Sequence, residues 1–237
     1  MDKKFKVSVI FPSYNESENI EEAIGRVANA LGNNLHEVIV VDDDSPDGTW
    51  KIVQNMKNFR YKVIRRTNER GLASAIARGI KESTGNVVAW LDCDLGVPPE
   101  VVPKMVEKLK DYDLAIASRY VEGGKDLRPK FRAFGSHVMV LFANMVLGSE
   151  VKDYASGVIA VKKEVANNIN FSTRGFGEYF IEFVYKSIKK GYKATEVGYI
   201  YKQRKKGKSK SDDNILLLIK YAIQYAAKII KIRFSRS

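Results

Sequence analysis

The sequence predicts an α/β fold, a mostly parallel sheet flanked by helices and followed by a C-terminal amphipathic helix. Short Val- and Ile-rich runs alternate with amphipathic stretches through the first half of the chain. Apolar runs of that length read as strands buried on both faces, with the intervening helices covering them. Acidic clusters follow three of these runs, at the strand ends where open α/β sheets bind ligands. The chain's 237 residues, 45% hydrophobic and 29% charged, suffice for one sizeable domain with an appendage.

The strands and helices follow in order. A β-rich run from Phe5 to Phe11 leads to a helical stretch from about Asn19 to Leu31. Glu37–Val41, Tyr61–Arg65, Asn86–Leu91 and Leu114–Ser118 read as further strands, and Thr49–Lys57, Leu72–Lys81 and Pro99–Lys110 as helices. Pro98 and Pro99 suit a helix entry, where a missing N–H costs little. Beyond about residue 120 the alternation stops. A nearly apolar helix is expected from Phe134 to Leu147, either as a core helix or, beside Arg128, Lys130 and Arg132, in a lipid interface.

The formal charge of +12 attracts polyanions, whether nucleic acid, anionic headgroups or phosphorylated substrates. The lysines at positions 3, 4 and 6 run straight into the first strand, so no signal peptide is expected. No apolar run approaches the ~18 residues of a membrane span. The single cysteine, Cys93, allows no intrachain disulfide and fits a reducing compartment. Between Val7 and Ile24 there is no glycine, which argues against a dinucleotide fingerprint, and no Walker-type loop follows a strand.

The strand ends read Pro12-Ser13-Tyr14-Asn15-Glu16, Asp42-Asp43-Asp44-Ser45-Pro46-Asp47 and Asp92-Cys93-Asp94. Two carboxylates one residue apart, Asp92 and Asp94, suit a single Mg²⁺ or Mn²⁺ whose other positions go to water and substrate phosphate. Such an ion would stabilise the charge developing on a diphosphate leaving group. The same pair would also serve a turn or a helix cap. The Asp42–Asp47 segment divides between ligand contacts and turn formation. Acidic strand ends repel a polyanion, so the basic run from Lys202 to Lys210 is not read as a nucleic-acid site.

Taken together, Val9-Ile10-Phe11-Pro12-Ser13-Tyr14-Asn15-Glu16, Asp42–Asp47, Gly71-Leu72-Ala73-Ser74-Ala75, Asp92-Cys93-Asp94-Leu95 with Pro98-Pro99-Glu100, and Ser118-Arg119-Tyr120-Val121-Glu122-Gly123-Gly124 resemble glycosyltransferase family 2, in particular its dolichyl-phosphate mannosyltransferases. Asp153-Tyr154-Ala155-Ser156-Gly157 and Arg204-Lys205-Lys206-Gly207-Lys208-Ser209-Lys210 extend the resemblance, which covers about residues 5–215. It implies a GT-A (Rossmann-like) fold, inversion, a divalent metal, GDP-mannose as donor and a dolichyl or other polyprenyl phosphate as acceptor. UDP-glucose or a UDP-N-acetylhexosamine is the alternative donor.

The resemblance also implies residue roles. Pro12, Tyr14, Glu16, Val41 and Asp43 would hold the nucleoside, with Cys93 in the same nucleotide-sugar site. Asp92 and Asp94 would bind metal and diphosphate. Arg119, Arg132, Arg204 and Lys210 would grip phosphates, with Arg119, Arg132 and Ser156 serving the acceptor, and Asp92, Asp94, Arg119 and Arg204 form the implied catalytic set. An acceptor phosphate is ionised at neutral pH and needs no general base, so positioning and charge stabilisation suffice. A neutral hydroxyl acceptor would need a base, for which Asp153 is the candidate. The sequence departs from the family at Gly96 and Val97, where Gln-His is frequent, so a looser or water-completed metal site is expected.

Residues 1–210 are read as the catalytic domain and 211–237 as a basic amphipathic helix. From Ile215 to Phe234, Lys220, Gln224, Lys228 and Lys231 fall within roughly 80° of arc. Such a stripe suits a membrane surface, with lysines reaching headgroups. Packing on the protein's own core, or on a membrane-protein partner, is the alternative. The expected location is peripheral, on the cytoplasmic face of a membrane.

Overall fold

A computed structural model describes residues 4–148, 150–173, 175, 177–202 and 215–234, the last segment by backbone alone for 215–221. Arg204 and Lys210, the basic run that holds them and the expected 210/211 domain boundary lie outside the described residues. Seven strands form one sheet: β1 (Val7–Ser13), β2 (Leu35–Asp42), β3 (Tyr61–Arg65), β4 (Val87–Trp90), β5 (Leu114–Ser118), β7 (Ile159–Lys162) and β8 (Ala194–Gly198). Their spatial order is β3-β2-β1-β4-β7-β5-β8. All pairings are parallel except those of β7, which runs antiparallel between β4 and β5. A short parallel ribbon joins β6 (Lys125–Asp126) to β9 (Ile200–Tyr201).

Alternation along the strands splits the core into two layers. Val7, Val9 and Phe11 of β1 face one side, where α1 (Ile20–Leu31), α2 (Thr49–Asn55) and α4 (Val101–Lys108) pack. Ile10, with Ile39 and Val41 of β2, faces the other, against α3 (Leu72–Glu82) and α7 (Glu178–Lys189). Ile20, Ala23, Ile24, Val27 and Leu31 give α1 its buried stripe at helical spacing. Gly79 lets α3 lie close on the sheet, because a Cβ there would fall 2.5 Å from Ile10 Cγ2.

The strands and helices expected before residue 120 are all present. The later helix, α5 (Lys130–Leu147), starts four residues ahead of Phe134, because the Pro129 carbonyl accepts from Arg132 N and Ala133 N and opens the helix there. Neither expected reading of α5 describes all of it. Val140, Ala143 and Leu147 are buried, whereas Phe131, Phe134, Val138, Leu141 and Met145 form an exposed stripe, Met145 being 77% exposed. The short helix α6 (Lys163–Asn168) follows β7.

The last helix, α8 (Ile215–Phe234), packs against α5 and α7. Ile229 and Ile232 enter the core, and Lys228 Nζ lies 2.5 Å from Glu182 Oε2 of α7. The expected cationic stripe is therefore corrected at Lys228, which turns inward to an ion pair. The outermost line of the helix is apolar, with Ile223, Ile230 and Phe234 exposed. Among the described residues, no helix is long and apolar enough to cross a membrane.

Candidate active site

The parallel pairing of β2, β1 and β4 brings their carboxyl ends to one sheet edge. A cavity of about 900 Å³ opens there, lined by Pro12, Tyr14, Glu16, Asp43, Asp92, Cys93 and Asp94, with Arg119, Arg132 and Ser156 also in its wall. Val41 is fully buried in the core layer below and does not line the cavity. Gathering four carboxylates beside several arginines needs a compensating framework, because buried charges must be paired.

The Asp42–Asp47 segment supplies part of that framework. Asp42 accepts from Ser13 Oγ (2.8 Å) and from the amide and hydroxyl of Ser45 (2.8 and 2.6 Å). Asp47 accepts from Ser17 N (3.0 Å) and Thr49 Oγ1 (2.6 Å), and Thr49 Oγ1 in turn accepts from Glu16 N (2.9 Å). Asp44 holds Arg65 on the surface. Asp43 faces the cavity, its carboxylate fixed by Arg66 Nε (2.7 Å) and Gly71 N (2.7 Å). Gly71 adopts φ 135°, open only to glycine in practice, and turns its amide onto Asp43. A carboxylate held this way presents a fixed acceptor edge to the N–H groups of a base.

Asp92 and Asp94 flank buried Cys93, whose thiol points back to the Pro12 carbonyl at 3.5 Å. Asp94 Oδ1 accepts from Gly96 N (2.9 Å), which fixes its rotamer. No third His, Cys, Asp or Glu among the described residues joins the pair into a closed cage. Two carboxylates of hard oxygen on a cavity wall fit Mg²⁺ or Mn²⁺, which bind through few carboxylates and complete their shells with water and phosphate. Burial, then the charges of Asp94 and Asp92, pushes the Tyr201 phenol up to about 12, so it stays a neutral donor beside them.

Across the cavity, Arg119 makes a two-pronged pair with Asp153 through Nε (2.8 Å) and Nη2 (2.7 Å), and Nη1 donates to Ser136 Oγ of α5 (3.0 Å). Burial by itself would lower the Arg119 pKa, but Asp153 holds it above the usual arginine value, so the cation is permanent. Asp153 is fully buried in this pair, which leaves it unsuited to the role of general base. Arg128 reaches the cavity from a similar bond to Asp126 (Nη2 to Oδ2, 2.6 Å), with its guanidinium 4.8 Å from the Tyr201 ring centre. Arg70 adds a further cation over Tyr14, 5.2 Å from that ring centre.

The sequence reading missed Arg70, Arg128, Ser136, Tyr179, Tyr199, Tyr201 and Tyr225, all of which line the cavity. The available signal was position: Arg70 adjoins the Gly71 turn, and Arg128 sits between the Ser118–Gly124 motif and Pro129. The tyrosines lie on elements with no local signature. Gly135 and Met139 of α5 and Ala222 and Tyr225 of α8 also line the cavity.

The model of "Glycosyl transferase family 2" matches residues 8–169. A dolichol-phosphate mannosyltransferase of Pyrococcus furiosus is 43% identical over 210 residues, covering 86% of this chain and 59% of the relative, so the chain spans less than two thirds of that protein. An undecaprenyl-phosphate mannosyltransferase of Micrococcus luteus is 30% identical, covering 89% of each chain. A polyprenol monophosphomannose synthase of Mycolicibacterium smegmatis is 32% identical, covering 87% of this chain and 82% of the relative. In structure, glucosyl-3-phosphoglycerate synthase of Mycobacterium tuberculosis, solved with Mn²⁺, UDP and glucosyl-3-phosphoglycerate, superposes with a TM-score of 0.75 at 18% identity, covering 98% of this chain and 81% of its own, and shows the shared fold.

Proposed function

The chain belongs to glycosyltransferase family 2, and from that membership we propose that it moves mannose from GDP-mannose to the phosphate of a dolichyl or other polyprenyl lipid at the cytoplasmic face of a membrane. The observation that carries this reading is one cavity lined both by the carboxylates Asp43, Asp92 and Asp94 and by arginines, and also by α5 and α8, whose outer faces are apolar. A nucleotide sugar needs base contacts and charge compensation for its diphosphate. A lipid phosphate needs cations beside an apolar path, and both sets of groups occur here. The names of the three relatives support mannose and a polyprenyl phosphate.

In this reading Asp43, with Pro12, Tyr14 and Glu16, holds the nucleoside. Asp92 and Asp94 hold Mg²⁺ or Mn²⁺, which when bound offsets the charge growing on the departing diphosphate. Arg128 and Arg132 face the acceptor phosphate, with Arg119 behind them as a fixed charge and Ser156 nearby. Arg204 and Lys210 are assigned to the phosphates by the resemblance alone. One acceptor oxygen attacks the anomeric carbon from the side opposite the diphosphate. The new C–O bond forms as the bond to the diphosphate breaks, with inversion. Two anions meet in this step, so the arginines act through charge and orientation rather than proton transfer.

The exposed stripe of α5 and the outer line of α8 would rest on the lipid surface, with the exposed Lys231 at the flank of the latter. The test is transfer to a polyprenyl phosphate in liposomes from GDP-mannose, UDP-glucose and UDP-N-acetylglucosamine, each with Mg²⁺ or Mn²⁺ and with EDTA. Transfer from GDP-mannose alone, abolished by EDTA, is expected. Transfer from a UDP-sugar instead would replace the donor, a reading given weight by the UDP in the Mycobacterium tuberculosis complex.

A further inference from the structure

The loop that carries Asp92 and Asp94 is closed over by an aromatic ring. Leu95 takes φ 60°, a left-handed conformation that turns the chain back immediately after Asp94. The turn brings Gly96 under β9. A Cβ at position 96 would lie 3.1 Å from Tyr201 Cε2, 3.1 Å from Asp94 Oδ1 and 3.2 Å from the Lys202 carbonyl. Lys202 N donates to the Gly96 carbonyl at 3.0 Å, which fastens β9 to this loop. The Tyr201 ring carries the Arg128 guanidinium on its face at 4.8 Å and meets Tyr199 edge-on at 6.0 Å and 82°. It is thus held in one orientation, in the wall of the cavity that Asp92 and Asp94 also line.

Asp92, Asp94 and an arriving diphosphate are all anionic acceptors. Among the described residues, Arg128 lies against the Tyr201 ring and spends Nε and Nη2 on Asp126. A phenol brings an O–H without adding charge.

We propose that Tyr201 binds the donor, its hydroxyl donating to a diphosphate oxygen beside Asp94, and that position 96 is glycine because the ring occupies the room a side chain would need. This rests on the donor reading given above. It assigns a substrate contact to Tyr201, outside the motifs quoted above, and couples it to Gly96, where the sequence departs from the family.

The test measures binding, apart from turnover, on the full chain. GDP and UDP are each titrated with Mn²⁺ by calorimetry, and bound Mn²⁺ is read by paramagnetic resonance, for wild type, Tyr201→Phe, Gly96→Ala, Tyr201→Ala and the double variant. Tyr201→Phe keeps the ring and is expected to weaken binding of the Mn²⁺–nucleotide pair by about ten- to hundredfold with an unchanged thermal midpoint, as for loss of a hydrogen bond to a charged group. Gly96→Ala should cost at least about threefold more with Tyr201 present than in the Tyr201→Ala background, the mark of coupled neighbours. Tyr201→Phe within twofold of wild type overturns the hydroxyl contact, and equal Gly96→Ala effects in both backgrounds overturn the constraint. A wild-type chain that binds neither nucleotide with Mn²⁺ overturns the donor reading itself, and this inference with it.

Discussion

Asp42 collects the Ser13 and Ser45 hydroxyls, Asp47 collects Ser17 and Thr49, and Asp44 holds Arg65, while Asp43 is steadied by Arg66 and Gly71 at the cavity wall. The run of acids was legible in the sequence as a mixture of turn and ligand residues. Which acid did which job was not, because beside the local Ser45 and Thr49 the deciding partners, Ser13, Ser17, Arg65, Arg66 and Gly71, lie 21 to 30 positions away. If Asp94 holds the metal as proposed, Asp94→Asn is expected to lower transfer by about a hundredfold or more under saturating Mn²⁺ and donor, with the fold intact by circular dichroism. Glu37 belongs to stability. Burial would raise its pKa, but the Thr84 amide and the Ser8 and Thr84 hydroxyls hold it below the usual glutamate value. A depressed folded-state pKa contributes stability that is full above the unfolded value of ~4.3 and is lost as pH falls through the folded one. Urea titrations should show Glu37→Gln less stable than wild type at pH 7, with the gap closing on acidification below about pH 4.

At the scale of elements, a helix was expected over 211–237 and α8 is described over Ile215–Phe234, yet its orientation was not legible. Its lysines share a stripe, but helical spacing cannot say that Lys228 would find Glu182 on α7. The inner face of α8 also builds the cavity. A Cβ on Gly177, just ahead of α7, would land 1.5 Å from the Tyr225 hydroxyl, so that glycine is what lets Tyr225 and the helix seat. Gly177→Ala should destabilise the fold by about 1–3 kcal/mol in thermal or urea melts, as overpacking does, and Tyr225→Ala in the same chain should recover much of the loss. Removing residues 215–237 would take Ile229 and Ile232 out of the core along with the outer face. Point changes on that face therefore separate membrane docking from folding better than truncation does.

For the molecule as a whole, every strand and α-helix before residue 120 was visible, because each short apolar run had its own turn signals; the 3-10 turn at Gly32–Asn34 was not. In the second half only the helices α5 and α8 were visible, since β7 runs against its neighbours and α5 carries apolar residues on both its buried and exposed faces. That second apolar face, next to α8 in a chain of formal charge +12, sets the membrane prediction. Phe134→Glu with Leu141→Glu should cut sedimentation with anionic vesicles by about tenfold or more, leaving the thermal midpoint in place, because both side chains are exposed in the folded protein. Raising salt should weaken wild-type binding while leaving its apolar share. The antiparallel β7 has a further consequence, for the order in which the sheet assembles. β4 and β5 do not pair with each other; each pairs with β7, so β3-β2-β1-β4 and β5-β8 are joined into one sheet only when residues 159–162 arrive. A chain growing from its N-terminus can complete the half bearing Asp43, Asp92 and Asp94 long before it can close the sheet, and β5 must wait, with both its edges unpaired, for two strands made after it.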